Sequence, residues 1–169
     1  PDKEGGFENG TTFNANGWST VGSFFTPWNM GEAVTPTSGN RAAYIVYYNG
    51  AGHGYFTGIN QSSHFFRDVV FHPEASDILL TFKWKGMGES GHDRLLVYTA
   101  PTGVTPSSGV PSSPSTTISG ATLVSSLDLH SSPNFQTATI NLPASLAGTT
   151  TRLIFTWQND GNGGTNPPS

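Results

Sequence analysis

The chain has 169 residues, of which 34% are hydrophobic, 12% aromatic and only 11% charged, with 21 glycines, 12 prolines, no cysteine and a formal net charge of −4. That is enough chain for one domain with a sizeable core, and too many aromatics for a disordered segment. The absence of cysteine points away from a disulfide scaffold, and seven basic residues scattered singly form no stripe that would neutralise a phosphate backbone. No apolar run approaches the ~20 residues of a membrane-spanning helix, so neither nucleic-acid binding nor membrane insertion is expected.

In chain order, residues 6–12 read as a short strand and turn, with Phe7 inward and Glu8 at a sheet edge. Trp18, Val21, Phe24 and Phe25 form an apolar cluster, closed by Pro27, Trp28 and Asn29, where an irregular strand pair is expected. Residues 41–49 are a strand, with Ala43, Ile45 and Tyr47 opposed to Tyr44, Val46 and Tyr48. A glycine-rich loop around His53 follows, then a strand over 64–72.

The pattern is clearest over residues 77–98. Ile78, Leu80, Phe82 and Trp84 share one face of a strand by period two, and Leu79, Thr81, Lys83 and Lys85 the other. Leu95, Leu96, Val97 and Tyr98 are apolar on both faces, which predicts a strand covered on both sides. Gly86, Gly88 and Gly91 between them suit a hairpin turn that gathers Glu89, His92 and Asp93.

Residues 100–120, dense in Pro, Gly, Ser and Thr, have no hydrophobic period; they read as a flexible surface excursion or flap. Residues 121–129 and 136–142 read as strands, residues 143–148 as a single helical turn, and 151–158 as the last strand. About eight short strands without a convincing helix predict an all-β, two-sheet antiparallel sandwich of jelly-roll type, as one domain over residues 1–169.

Three stretches carry a family resemblance. They are the opening GGFENG followed by Gly17-Trp18, the F-x-W of Phe82 and Trp84 leading into Gly86-Met87-Gly88-Glu89-Ser90 and Asp93, and the closing FTWQNDGNGGTNPP. In this order they resemble the choice-of-anchor J and cleaved-adhesin domains of secreted bacterial proteins, and the opening F-E is shared with MAM domains. The resemblance implies a galactose-binding-like jelly roll excised from a larger extracellular or cell-surface protein, one associated with type IX secretion. It also implies a truncated C-terminal strand, completed by the rest of the same chain or by a partner.

Candidate chemistry is sparse. Glu8, Glu89, Asp93, Asn159 and Asp160 lie at strand ends or in glycine-rich turns, where carboxylates and carbonyls can converge on calcium; the resemblance places such an ion near Glu8 and Asp160. The competing reading is that these residues cap turns. Trp28 and Tyr55, in loops, are the candidate exposed platforms for a sugar ring, with His53 and Asn60 as hydrogen-bonding neighbours. Glu89 with Asp93 is the best carboxylate pair for hydrolysis, yet no H-E-x-x-H, G-x-S-x-G or cysteine nucleophile accompanies it, so no enzyme is expected. The chain therefore reads as a non-catalytic adhesin-type module that binds a host or matrix protein or a polysaccharide. The alternatives are a carbohydrate-binding module attached to a polysaccharide-degrading enzyme, and a ligand-free spacer.

Overall fold

Alternating apolar residues and glycine-rich turns fold into nine strands and two single 3-10 turns; the computed structural model describes residues 5–22, 24–48, 52–107, 118–125, 127 and 129–164. The strands are β1 (Ser19–Val21), β2 (Trp28–Gly31), β3 (Ala42–Ile45), β4 (Asn60–Val70), β5 (Ile78–Met87), β6 (Arg94–Pro101), β7 (Thr122–Leu123), β8 (Ser131–Leu142) and β9 (Thr150–Asp160). Five form an antiparallel sheet in the order β1-β4-β9-β6-β7. The pairs β2-β3 and β5-β8 pack over its inner face, giving the expected all-β sandwich.

The inner face holds an aromatic knot. Phe65 of β4 and Phe155 of β9 stand opposite each other in register and stack, with ring centroids 4.8 Å apart and planes 3° from parallel. Trp18, Trp28 and Phe82 meet these two rings edge-on at 5.1, 4.7 and 5.2 Å, geometries that aromatic quadrupoles favour. Ile78, Ile140 and Leu142 of the β5-β8 pair close the cluster from above. As the sequence pattern predicts, Ile78, Leu80 and Phe82 face this core while Leu79 on the opposite side is 59% exposed.

The outer face of the large sheet is also covered. Phe66, Leu96, Tyr98, Ala100 and Ile154 pack beneath Ile118, Val104 and Ala121, so β6 is buried on both faces as expected. The described ends of the Pro/Ser/Thr-rich stretch therefore serve as a lid on the sheet; residues 108–117 of that expected flexible loop lie outside the described residues. Arg152 fastens the lid by donating from Nη1 to the Val104 carbonyl at 2.8 Å while its guanidinium pairs with Asp68 at 2.7 Å.

Three expectations need correction. The glycine-rich stretch between β5 and β6 is not a hairpin: β5 pairs with β8 and β6 with β9, so residues 88–93 carry the chain from one sheet to the other. Gly88 is required there because a Cβ would overlap the Asp93 carbonyl. Residues 6–12 form no strand, although Phe7 does turn inward onto Phe13, Trp18 and Phe65. Among the described residues of 121–129 only Thr122–Leu123 is a strand, followed by a bridge from Leu129 to Leu95.

Candidate functional site

The antiparallel register brings one set of loops to the same end of the sandwich. Val21 lies opposite His64, Asn60 opposite Asp160, and Arg94 opposite Gln158. The end of β1, the start of β4, the end of β9 and the start of β6 thus converge. Here the loop after β1 meets the loop after β3, and the crossing at 88–93 meets the turn after Asp160.

On this end sits a group of exposed aromatics. Phe24, Tyr48 and Phe25 are 72%, 51% and 43% exposed. Phe24 lies 5.6 Å from Phe25 and 5.3 Å from Tyr48, and Phe56 joins from behind, 6.2 Å from Tyr48 and 6.3 Å from Phe25. Burying such a side chain gains roughly 1.5–3 kcal/mol, so several left together in water mark a contact surface more often than an accident of packing.

Polar residues singled out in the sequence hold the loop that carries Tyr48 and Phe56, while Ser63 and Gln61 hold the Phe24 loop at Thr26. The Tyr55 hydroxyl donates to Asp93 Oδ2 at 2.6 Å, and Asp93 Oδ1 accepts from the Asp160 backbone N–H at 3.2 Å. The Asn159 amide, fully buried, donates to the Phe56 carbonyl at 3.0 Å and to the Ile59 carbonyl. Asp160 Oδ1 accepts from the Asn162 N–H at 2.9 Å, and His92 Nδ1 lies 2.9 Å from Asp160 Oδ2. Burial pushes the Asp93 carboxyl above the usual carboxylate range; the Tyr55 and Asp160 hydrogen bonds oppose this, and the charges of Asp160 and Glu89 add to it.

Of the residues proposed for a metal, the fold therefore brings together Asp93, Asn159 and Asp160. Glu8 is engaged elsewhere: its carboxylate accepts from the backbone N–H groups of Asn40 and Arg41, both at 2.9 Å, which holds its pKa below the ordinary value. All four carboxylate oxygens of Asp93 and Asp160 already have donors or His92 beside them, so a calcium ion there would have to displace existing contacts. Among the described residues no group of three or more His, Asp or Glu side chains is arranged to hold a metal ion.

The candidate sugar platforms are placed differently from expectation. Tyr55 is fully buried, its ring 5.2 Å from Trp157, because its hydroxyl is drawn to Asp93. Trp28 is turned inward: it begins β2, packs on Phe65, and its indole N–H donates to the Ser63 carbonyl at 2.9 Å. His53 bridges to Val46 and packs edge-on to Tyr44, and Asn60 opens β4. The exposed rings are Phe24, Phe25 and Tyr48, and the signal for the first two was available: adjacent phenylalanines flanked by Ser, Thr and Pro, with no alternation to bury them.

Fold and site define a β-sandwich with an aromatic loop end. No known protein family's model matches the chain, and no curated protein matches it. Among solved structures, the chain is similar to the K1 cleaved adhesin domain of Lys-gingipain from Porphyromonas gingivalis W83, at 13% identity and a TM-score of 0.43 over 90% of this chain and 83% of that one.

Proposed function

We propose that this chain is a non-catalytic, adhesin-type binding module of a secreted or cell-surface protein, and that it makes contact through the aromatic loop end. The observation that carries the reading is the exposed group Phe24, Phe25 and Tyr48 on loops that buried polar residues hold in place, Ser63 and Gln61 at Thr26 and Asn159 at Phe56. Rigid loops lower the ordering cost of binding, and exposed aromatic clusters supply the anchors that dominate interface energies.

A protein surface is favoured over a polysaccharide. The rings pack on one another, Phe24 tilted 32° to Tyr48 and Tyr48 stacked at 29° on Phe56, so part of the flat face that a sugar would need is already engaged. The test is a binding panel of immobilised matrix proteins and polysaccharides with the purified chain, in calcium and in chelator. Binding to a protein that falls at least tenfold in Phe24→Ser with Tyr48→Ser supports the reading. Binding to a polysaccharide moves it to a carbohydrate-binding module. Binding that the double substitution leaves unchanged removes the loop end from the account, and loss only in chelator brings the Asp93 and Asp160 turns into it as a calcium site.

A further inference from the structure

The two-stranded pairs do not fill the layer above the large sheet. A groove of about 940 Å³ runs between β5 and β3, floored by Phe65, Phe155 and Trp157 of the large sheet. It extends along β5 from Ile78 to Gly86. Among the described residues β5 pairs with β8 alone, so the edge facing the groove offers a row of backbone N–H and C=O groups without a partner strand. An unpaired ten-residue edge beside an apolar floor is a place where an extended chain gains both ladder hydrogen bonds and side-chain burial.

The charge around the groove is the reverse of the chain's. Arg41, Arg67, Lys83 and Lys85 border it, four of the seven Lys and Arg residues, against Glu8 and Asp77, two of the eleven Asp and Glu residues. Glu8 is engaged by the backbone of Asn40 and Arg41, and the Arg41 guanidinium lies 3.6 Å from Glu32, so the charge offered to an occupant is chiefly that of Lys83 and Lys85 on the outer side of β5. A net-negative chain that gathers its cations along one apolar groove favours an acidic occupant there.

From this we infer that the β5 edge accepts an extended strand of a partner polypeptide, apolar at alternate positions to lie beside the half-buried Leu80, Phe82 and Trp84, and acidic between them to meet Lys83 and Lys85. The added strand lies over the large sheet and completes the layer between β3 and β5. This site is separate from the aromatic loop end and does not depend on it.

The test uses a dye-labelled nine-residue peptide that alternates valine with threonine and glutamate, titrated by fluorescence anisotropy. Three controls accompany it: lysine in place of glutamate, proline at two central positions, and a scramble of the same composition. The alternating acidic peptide is expected to bind at least tenfold more tightly than each control, and to slow hydrogen exchange of alternate amides between Leu79 and Lys85 at least tenfold. Lys83→Glu with Lys85→Glu, both on the outer side of β5, is expected to weaken binding at least tenfold while leaving the unfolding midpoint near wild type. Equal binding of the proline peptide or the scramble overturns strand addition, as does unchanged exchange along β5 or failure of every peptide to bind. A concentration-dependent dimer cross-linked through Thr81→Cys, with no displacement by the peptide, assigns the edge to a second copy of this chain and also overturns the proposal. A panel result that fails at the aromatic end leaves these outcomes unaffected.

Discussion

The middle of the sandwich and its loop end use the same residue type for opposite purposes. In the middle, Phe65 and Phe155 are each under 10% exposed and are ringed by Trp18, Trp28 and Phe82. At the end, Phe24 and Tyr48 are more than half exposed, and their neighbours are one another. An aromatic ring stabilises the fold only where strands present it to a closed interior. On loops tied down by Ser63 at the Thr26 carbonyl and by Asn159 at the Phe56 carbonyl, the same ring adds little to stability.

Substitutions separate the two regions by size of effect. Phe155→Ala empties the centre of the aromatic knot and is expected to cost about 3–5 kcal/mol in chemical denaturation, a large share of the roughly 5–15 kcal/mol that holds an ordinary domain folded. A loss below about 1 kcal/mol would mean that the middle is not the core.

Acid is expected to act next. His64, one residue before Phe65, is buried with Nδ1 2.8 Å from the Thr156 hydroxyl, and burial lowers its pKa from 6.5 to about 4. Below pH 6.5 the unfolded chain takes up a proton that the folded chain refuses, so stability falls between pH 6.5 and about 4, by up to about 3 kcal/mol at 1.36 kcal/mol per pKa unit. Asp93, with its folded pKa raised, works in the opposite sense: its penalty is greatest when ionised and is relieved as the pH drops. Denaturation midpoints followed from pH 7 to 4 should therefore decline more steeply in Asp93→Asn than in wild type, and should flatten in His64→Gln.

Tyr55→Phe tests the link between the two regions. It leaves the ring on Trp157 but removes a hydrogen bond to a buried carboxylate, a loss of about 1–3 kcal/mol. Because that bond stabilises the ionised form of Asp93, the loss should be larger at pH 8 than at pH 5. A pH-independent effect would place the stabilisation in ring packing alone. Smallest of all, Phe24→Ser is expected to shift stability by no more than about 0.5 kcal/mol, and a larger loss would show that the loop end is structural.

Much of the fold is legible in the sequence because period-two alternation records which face of a strand is buried. Ile78, Leu80 and Phe82 against Leu79, Thr81 and Lys83 required no partner to interpret. Pairing was not legible in the same way. A glycine-rich turn between two apolar strands looks alike whether it closes a hairpin or passes between sheets, and only the long-range partners β8 and β9 distinguish these. One local sign did exist: β5 is apolar on one face and β6 on both, as expected of strands in differently covered layers. At the candidate site, the sequence located the polar supports, Asp93, Asn159 and Asp160, but assigned Tyr55 to the surface. A tyrosine among glycines carries no record of the buried carboxylate 38 residues away that claims its hydroxyl.

The position of β9 has a kinetic consequence. Among the described residues it is the last strand in sequence order and the central strand of the large sheet, and β4 and β6 are joined only through it. Because β4 and β6 both precede it in the chain, the two halves of the sheet have no common partner until β9 has been made, and pairing Asn60 with Asp160 must meet the loop-closure entropy of all the chain between them. The same strand's end carries Asn159, which fixes the loop holding Phe56. The sheet and the loop end are thus completed together, when β9 pairs with its two neighbours.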